Sequence, residues 1–347
     1  MQALILAGGQ GTRLRPLTLT VPKPVLPLAG RPHLAYVIEW LGRHGVDDVI
    51  VSCGFLAEGM REALAELEPD VEIRYAEEPD PRGTAGAIRF AEEMLGDRFL
   101  VLNGDILCDL DLSALIAQHE QTGARATIAL YPADDPTGYG LIHRHDDGEI
   151  TEFLEKPEPD EIDTDEINAG AYLLERSVLE EIPPDREVSI EREVFPRLIG
   201  KGLYGIRLDG YWIDIGTPAR FLEANWDILE RRVDTIIGEQ LDERGLLIAP
   251  TADVSPDATI EPPALIGEGA IVSAGASVGP RAVVSPGCEV EEGASVTESV
   301  LLGGCRIGER ARISGSILSA EVEVAAETTP EPGSVIGEGE LVVGGSA

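Results

Sequence analysis

Lysine is scarce: only Lys23, Lys156 and Lys201 occur in 347 residues. Positive charge as a whole is in short supply. The chain has 27 Lys and Arg against 63 Asp and Glu, for a formal net charge of −36. A surface of that sign repels phosphate backbones and anionic headgroups, so no nucleic acid and no membrane partner is expected. Cysteine is sparse as well. Cys53, Cys108, Cys288 and Cys305 lie far apart and form no CxxC pair, which predicts a reduced, cytoplasmic protein. No run approaches the ~18–20 apolar residues of a membrane span. Met1-Gln2 leads straight into an apolar run with no basic segment or cleavage site, so no signal peptide is expected. His33, His44, His119, His143 and His145 match no metal-ligand spacing.

What is present divides in two. The apolar fraction of 43% supports a packed core, and the length suits two domains. Residues 1–230 alternate short apolar runs with amphipathic stretches. Residues 4–7, 49–52, 72–75, 99–102 and 127–131 are predicted as strands, and 33–44, 57–67, 84–95 and 112–122 as helices. That alternation argues for an α/β sheet with helices on both faces, whose ligands gather beyond the carboxyl ends of the strands. Gly8, Gly9, Asn103, Gly104 and Asp105 all fall just past predicted strand ends.

From Val254 the pattern changes. Val254, Ile260, Ile266, Val272, Val278, Val284, Val290, Val296 and Leu302 recur at six-residue intervals. The phase then slips by one to Ile307 and Ile313, and again to Leu318, Val324, Ile336 and Val342. A fixed short period means a solenoid. This one resembles the left-handed parallel β-helix of hexapeptide-repeat proteins, with the apolar residue inward and small residues at the corners. The repeat is assigned to residues 251–347 and a junction to 231–250, and the expected role is scaffold and oligomer contact.

The opening segment carries the chemistry. Gly9-Gln10-Gly11-Thr12-Arg13-Leu14 begins like a dinucleotide fingerprint, but Leu14 occupies the third glycine position and no Gly-Lys-Ser/Thr follows. It is neither GxGxxG nor a Walker A loop. Glycines after a strand still present N–H groups that can approach phosphate closely. Arg13 adds a fork suited to phosphate oxygens, and Lys23, held between Pro22 and Pro24, adds a compact point charge. Taken alone, the same residues also fit a tight turn with two surface cations. Asp105 and Asp214 each follow a strand, where an aspartate serves as a turn or cap residue or as an oxygen ligand for Mg²⁺.

The segment "LAGGQGTRLRPLTLTVPKPVLPLAGRP" resembles the signature of sugar-1-phosphate nucleotidyltransferases. The resemblance continues through "GTAGA" (83–87), "LNGD" (102–105), "YGLI" (139–142), "FLEKPEP" (153–159), "INAGAYLLE" (167–175), "SIEREVFP" (189–196) and "GYWIDIGTP" (210–218). Within that family the chain is most similar to mannose-1-phosphate guanylyltransferases. The resemblance implies a Rossmann-like nucleotidyltransferase domain over residues 1–230, followed by the β-helix. The implied reaction joins a nucleoside triphosphate to a sugar 1-phosphate and releases pyrophosphate, with GTP and mannose 1-phosphate expected as substrates.

Carried over residue by residue, the resemblance makes Arg13, Lys23, Asp105, Lys156 and Asp214 catalytic. It places Leu6, Ala7, Gly8, Gly9, Gly11, Thr12, Arg13, Lys23, Gly83, Thr84, Ala85, Asn103, Gly104 and Asp105 on the nucleotide. Gly140, Glu155, Lys156, Asn168 and Gly170 fall on the sugar phosphate, and Asp105 and Asp214 on Mg²⁺. Glu191 and Arg192 fit either a site or a solvated helix start. The stretch "EEPDPRGTAGA" is two residues longer between Glu-Pro and Gly-Thr than in the guanylyl relatives, which separates base choice from reaction class. The alternatives are dTTP or UTP with glucose 1-phosphate, GTP with another sugar or cyclitol phosphate, and a non-catalytic nucleotide-sugar-binding subunit. The repeat region holds no histidine, against a second, acyltransferase activity. A homo-oligomer through the β-helix is expected.

Overall fold

The computed structural model describes residues 1–54, 56–65, 67 and 71–344. Its contacts gather into two units, residues 1–9 with 37–212, and residues 10–36 with 213–347.

The first unit is built on a mixed sheet. Its strands are β1 (Gln2–Leu6), β2 (Asp48–Cys53), β3 (Glu72–Glu77), β4 (Arg98–Asn103), β5 (Ala126–Pro132), β6 (Gly140–Arg144), β7 (Ile150–Glu155), β8 (Glu166–Glu175) and β9 (Leu203–Arg207). The order is β7-β6-β8-β4-β1-β2-β3, with β5 paired to β8 and β9 to β5. Strands β3, β2, β1 and β4 run parallel, so their carboxyl ends share one edge. β8 joins β4 antiparallel. Ala3, Leu4 and Ile5 of β1 are all fully buried. That uninterrupted apolar run marks a central parallel strand covered on both faces.

Helices α1 (His33–Arg43), α2 (Ala57–Ala65), α3 (Gly83–Phe90) and α4 (Leu112–Thr122) fall where the pattern predicts them. Residue 66 of the expected 57–67 helix lies outside the described residues. The expected 84–95 helix is split: α3 stops at Phe90 and a separate 3-10 turn, Glu92–Met94, follows. α4 starts where the Asp111 carboxylate accepts from the N–H groups of Ser113 (2.9 Å) and Ala114 (3.3 Å), an ordinary N-cap.

The second unit holds the left-handed parallel β-helix, whose three sheets stack parallel strands. The expected junction contains structure of its own. After α5 (Pro218–Leu229) comes α6 (Ile236–Gln240), then strand Leu246–Ile248. That strand pairs in parallel with Ala264–Ile266 and is already the first rung of the β-helix. Residues 345–347 of the expected repeat region lie outside the described residues.

Inward residues Ile266, Val284, Leu301, Leu318 and Ile336 line the interior with Val272, Val290, Ile307 and Val324. Leu301, not Leu302, takes the inward place, paired with Val284 and Leu318. The first phase slip therefore falls one repeat earlier than the spacing predicts, between Val296 and Leu301. The corner before it is short by a residue, and Glu298 there adopts φ 50°.

One face of the β-helix is covered. Leu265, Val283, Val300 and Ile317 point outward from their strands, yet each is at most 5% exposed. Cover comes from inside the same unit. Ile317 and Val335 share a cavity with Leu222 and Trp226 of α5. Arg281 is bonded to Glu230 at 2.5 Å and lies 5.5 Å over the Trp226 ring. The 10–36 segment leans on it too. A Cβ at Gly30 would lie 3.8 Å from Leu265, and one at Gly337 3.4 Å from Pro16. The Thr20 hydroxyl donates to Glu338.

Candidate active site

In the first unit the site forms at the carboxyl edge of the parallel strands, where β1 has β2 on one side and β4 on the other. Leu6 stands opposite Asn103 in register. The Gly104 N–H donates to the Leu6 carbonyl at 2.9 Å, and the Ala7 N–H to the Ser52 carbonyl at 2.8 Å. Residue 104 has to be glycine, because a Cβ would sit 2.7 Å from the Leu6 oxygen. This closeness gathers Leu6, Ala7, Asn103, Gly104 and Asp105 at one place. Gly9 is different: among the described residues no atom lies within 4 Å of a Cβ built there. Internal packing does not require that glycine, so the open space suits a ligand.

The sugar-side residues converge on the neighbouring strands. Gly140 opens β6 and Glu155 closes β7, and the two are antiparallel partners. A Cβ on residue 140 would lie 3.0 Å from the Glu155 carboxylate. Asn168 donates to the Tyr172 hydroxyl at 2.9 Å and accepts from the Gly170 N–H at 3.0 Å. These residues flank the bulge of β8, where pairing with β5 shifts between Asn168 and Tyr172. Asn103 lies against Gly170. Its Oδ1 is buried without a hydrogen-bond partner among the described residues. An unmet buried acceptor costs about 1–3 kcal/mol, which a ligand hydroxyl would recover.

Burial, reinforced by the negative charge of Glu191, raises the Glu155 pKa, while Lys156 and Arg192 oppose the rise. Lys156 departs from the extended conformation that a following proline favours. It takes φ 53° directly before Pro157, a strained backbone state for a non-glycine residue that costs about 1–3 kcal/mol. Surrounding structure must hold it there, and it turns the chain away from the β7 direction.

Around α3 the side-chain hydrogen bonds run to a distant segment, and Thr84 does not cap its own helix. Its hydroxyl accepts from the Ile190 N–H and donates to Glu191, both at 2.8 Å. The Val188 carbonyl takes the N–H groups of Ala85 and Gly86 at 2.9 and 3.2 Å. Glu191 is not a solvated helix start. It lies in a π-helical turn, Ile190–Val194, and one carboxylate oxygen also accepts from Ser189 at 2.7 Å.

Missed altogether was an aromatic wall. Tyr131 stacks on Trp212 at 5.5 Å, Tyr139 meets it edge-on at 5.2 Å, and the Trp212 indole N–H donates to the Ala169 carbonyl at 2.9 Å. Tyr131 lies in β5 and Tyr139 in the turn just before β6, whereas Trp212 lies far along the chain in the strand Trp212–Asp214. The only sequence signal is an aromatic residue directly before Gly140 and another two residues before Asp214. An aromatic surface beside Gly140 and Asn168 suits the apolar face of a sugar ring.

The second unit carries the cations of the opening loop. Its chain turns through 3-10 segments Thr12–Leu14, Leu17–Leu19 and Lys23–Val25, anchored by buried Leu14 and Leu17. The Gly11 carbonyl accepts from the Thr18 hydroxyl at 2.8 Å. Lys23 is only 8% exposed. Its side chain packs on Gly11, where a Cβ would lie 3.0 Å from the Lys23 Cβ. Arg13 and Asp214 meet at Gly216. The Asp214 carboxylate accepts the Gly216 N–H at 2.7 Å. A Cβ on Gly216 would stand 2.6 Å from an Arg13 nitrogen and 2.7 Å from Asp214 Oδ1. Thr217 then caps α5, with Pro218 as its first residue. We expect Gly216→Ala to lower kcat/KM about 10–100-fold with unchanged circular dichroism, because the methyl displaces two functional groups at once. Full activity in the purified variant would remove Arg13 and Asp214 from the machinery.

Asp105 and Asp214 offer oxygen ligands, which suit a hard divalent cation. No group of three or more His, Cys, Asp or Glu among the described residues is arranged to hold a metal. Where a protein offers Mg²⁺ only one or two carboxylates, substrate phosphates and water usually complete its shell. Among the described residues no helix is long and apolar enough to cross a membrane.

Residues 2–231 match the nucleotidyl transferase family, and residues 260–343 match the GMPPB C-terminal domain. The chain is 37% identical over 267 residues to the mannose-1-phosphate guanylyltransferase of Mycobacterium tuberculosis, covering 73% of this chain and 72% of that protein. It is 40% identical over 230 residues to the mannose-1-phosphate guanyltransferase of Schizosaccharomyces pombe, covering 64% of this chain and 62% of that one. Among solved structures it resembles HddC from Yersinia pseudotuberculosis, with TM-score 0.57, 30% identity, and coverage of 65% of this chain and 97% of that one. The same protein complexed with GMP-PN gives a TM-score of 0.56.

Proposed function

The chain belongs to the nucleotidyl transferase family, and from that premise we propose that it makes GDP-mannose and pyrophosphate from GTP and mannose 1-phosphate. The carrying observation is the double match: a nucleotidyl transferase over residues 2–231 and a GMPPB C-terminal domain over 260–343, alongside relatives named for this reaction. The GMP-PN complex of HddC favours the guanine base independently of the sugar.

In this reading a phosphate oxygen of the sugar 1-phosphate attacks the α-phosphorus in line, and pyrophosphate leaves. A phosphate monoester is already largely dianionic at neutral pH, so the attacking oxygen needs no general base. What remains is positioning and charge neutralisation. Arg13 and Lys23 hold the triphosphate. Leu6, Ala7, Gly8, Gly9, Gly11, Thr12, Asn103, Gly104 and the Gly83–Ala85 stretch surround the nucleotide. Lys156 meets the sugar phosphate, and Glu155, Asn168, Gly140 and Gly170 meet the sugar. Mg²⁺, held through Asp105 and Asp214, would supply neutralisation of the phosphate oxygens. We also propose a cytoplasmic homo-oligomer assembled through the β-helix.

The test is pyrophosphate release across GTP, dTTP, UTP, ATP and CTP, each with mannose, glucose and other sugar 1-phosphates. GTP with mannose 1-phosphate is expected to give the highest kcat/KM by at least about tenfold. A best rate with dTTP and glucose 1-phosphate would overturn the guanylyl reading and leave the family standing.

A further inference from the structure

Positive charge gathers behind α3, where the reaction above does not use it. Arg82, directly before α3, and Arg89 within it share one crevice of about 280 Å³ with Arg186. The Phe90 ring, Pro183 and Pro184 complete its walls. Lys and Arg number only 27 in the chain against a net charge of −36, so three guanidinium groups on one small crevice need a reason.

Backbone contacts bring them together. The Val188 N–H donates to the Arg82 carbonyl at 2.9 Å, and the Val188 carbonyl takes the N–H groups of Ala85 and Gly86. Residue 86 has to be glycine, because a Cβ there would lie 2.8 Å from the Arg82 Cβ and 3.0 Å from the Arg186 carbonyl oxygen. Two successive prolines stiffen the opposite wall. The crevice is thus formed before a ligand arrives.

Its donors are only partly spent. The Arg82 side chain is 24% exposed, lies 4.9 Å over the Phe90 ring and stands 3.5 Å from Asp185. Its Nε is buried with no hydrogen-bond partner among the described residues, a costly state for a charged donor. Arg89 spends one nitrogen on both Glu92 (3.2 Å) and the Leu179 carbonyl (3.1 Å). Arg186 spends one on Glu193 (2.7 Å). A guanidinium carries five N–H donors, so each arginine keeps some for an oxygen-rich guest. Asp185, Glu92 and Glu93 line the crevice as well. Glu92 is held by Arg89, and Glu93 is exposed. Asp185 is 89% exposed, so its pair with Arg82 contributes little and is readily exchanged. Planar forks with unspent donors match the oxygens of a phosphate.

We propose that this crevice binds a phosphate group, bridged between Arg82 and Arg186, and that its occupancy steadies the nucleotide stretch. Arg82 leads straight into residues 83–85, and Arg186 leads into Val188, to which that stretch is bonded. A guest on both arginines ties the two sides of this clasp and favours the conformation that receives the triphosphate. The kinetic half rests on the nucleotide reading of residues 83–85, whereas the binding half stands without it.

The experiment titrates inorganic phosphate, and separately glucose 6-phosphate, into protein saturated with GDP-mannose and Mg²⁺. Calorimetry follows the natural chain, Arg82→Gln and Arg186→Gln, with a thermal melt of each. One site per chain is expected in the natural protein, weakened about tenfold or more by either substitution. Two separate substitutions keep the test decisive if one of them fails to fold. Binding of both probes identifies the phosphate group alone as the guest, and binding of glucose 6-phosphate alone makes it an ester. Binding of neither probe, or binding that survives both substitutions, overturns the site. In steady-state assays the bound probe is expected to lower the KM for GTP about fivefold in the natural protein and in neither variant. An anion that only competes in the active site would raise that KM in all three proteins. Binding that leaves the KM for GTP unmoved overturns the coupling alone. A natural protein that does not use GTP overturns the guanylyl reading, and the binding result is unaffected.

Discussion

Replacing Lys23 by methionine is expected to lower kcat/KM for the triphosphate by about 10²–10³, while Lys201→Met changes it less than about twofold. Methionine preserves most of the buried stem, so the loss reports the charge. Lys23 is 8% exposed and packed on Gly11, whereas Lys201 lies on the surface. A single preorganised donor aimed at developing phosphate charge is worth that much in a water-poor site. The acidic surface sharpens the contrast. Its long-range field opposes triphosphate binding, though salt screens it beyond ~8–10 Å. Affinity then depends on the few cations placed locally. Steady-state kinetics with a thermal melt of each variant decides the matter. Comparable losses at both lysines, with both proteins folded, would sink the phosphate role of Lys23.

Ending the chain after Pro250 is expected to abolish activity, with a protein that is insoluble or melts far below the full chain. As a repeat attached by a junction, the tail reads as a scaffold whose removal changes assembly first. The structure points to a different outcome. Residues 10–36 and 213–347 form one unit. Leu265, Val283, Val300 and Ile317 are buried on the outer face of the β-helix. At about 1.5–3 kcal/mol for each fully buried side chain, four such contacts contribute about 6–12 kcal/mol. That is comparable to the whole stability of a typical domain. Truncation would leave α5 and the Lys23 loop without that support. A soluble 1–250 fragment with near-normal kcat/KM would show the tail to be dispensable for chemistry.

Local chemistry was readable wherever it depends on neighbours in the chain. The glycines past β1, the Gly104 turn, the proline-flanked Lys23 and the six-residue repeat each announce themselves within a few residues, because turns, strand ends and coil corners are short-range demands on backbone conformation. The sugar-side stretches around Gly140, Glu155 and Asn168 were legible as motifs. Their convergence appears only once β6, β7 and β8 pair. Where expectation and structure part, a distant segment is responsible. Val188 and Ile190 claim the hydrogen-bonding groups at the start of α3. Lys156 is forced to φ 53° although Pro157 favours an extended neighbour. The shortened corner at Glu298 moves the inward position from Leu302 to Leu301.

The linear order of residues thus determined the reaction class and the two architectures, since both are written in short periodic or contiguous patterns. Tertiary structure alone decided which of two adjacent glutamates, Glu77 and Glu78, pairs with Arg61 and which takes the Ser52 hydroxyl. It also stood Tyr131, Tyr139 and Trp212 together and joined the phosphate-loop segment to the β-helix in one unit. Those outcomes depend on which side of a strand a residue occupies and on contacts between segments as much as 318 residues apart, such as Thr20 with Glu338. Free energy summed over the whole packed unit selects them, and no local stretch of sequence carries that sum.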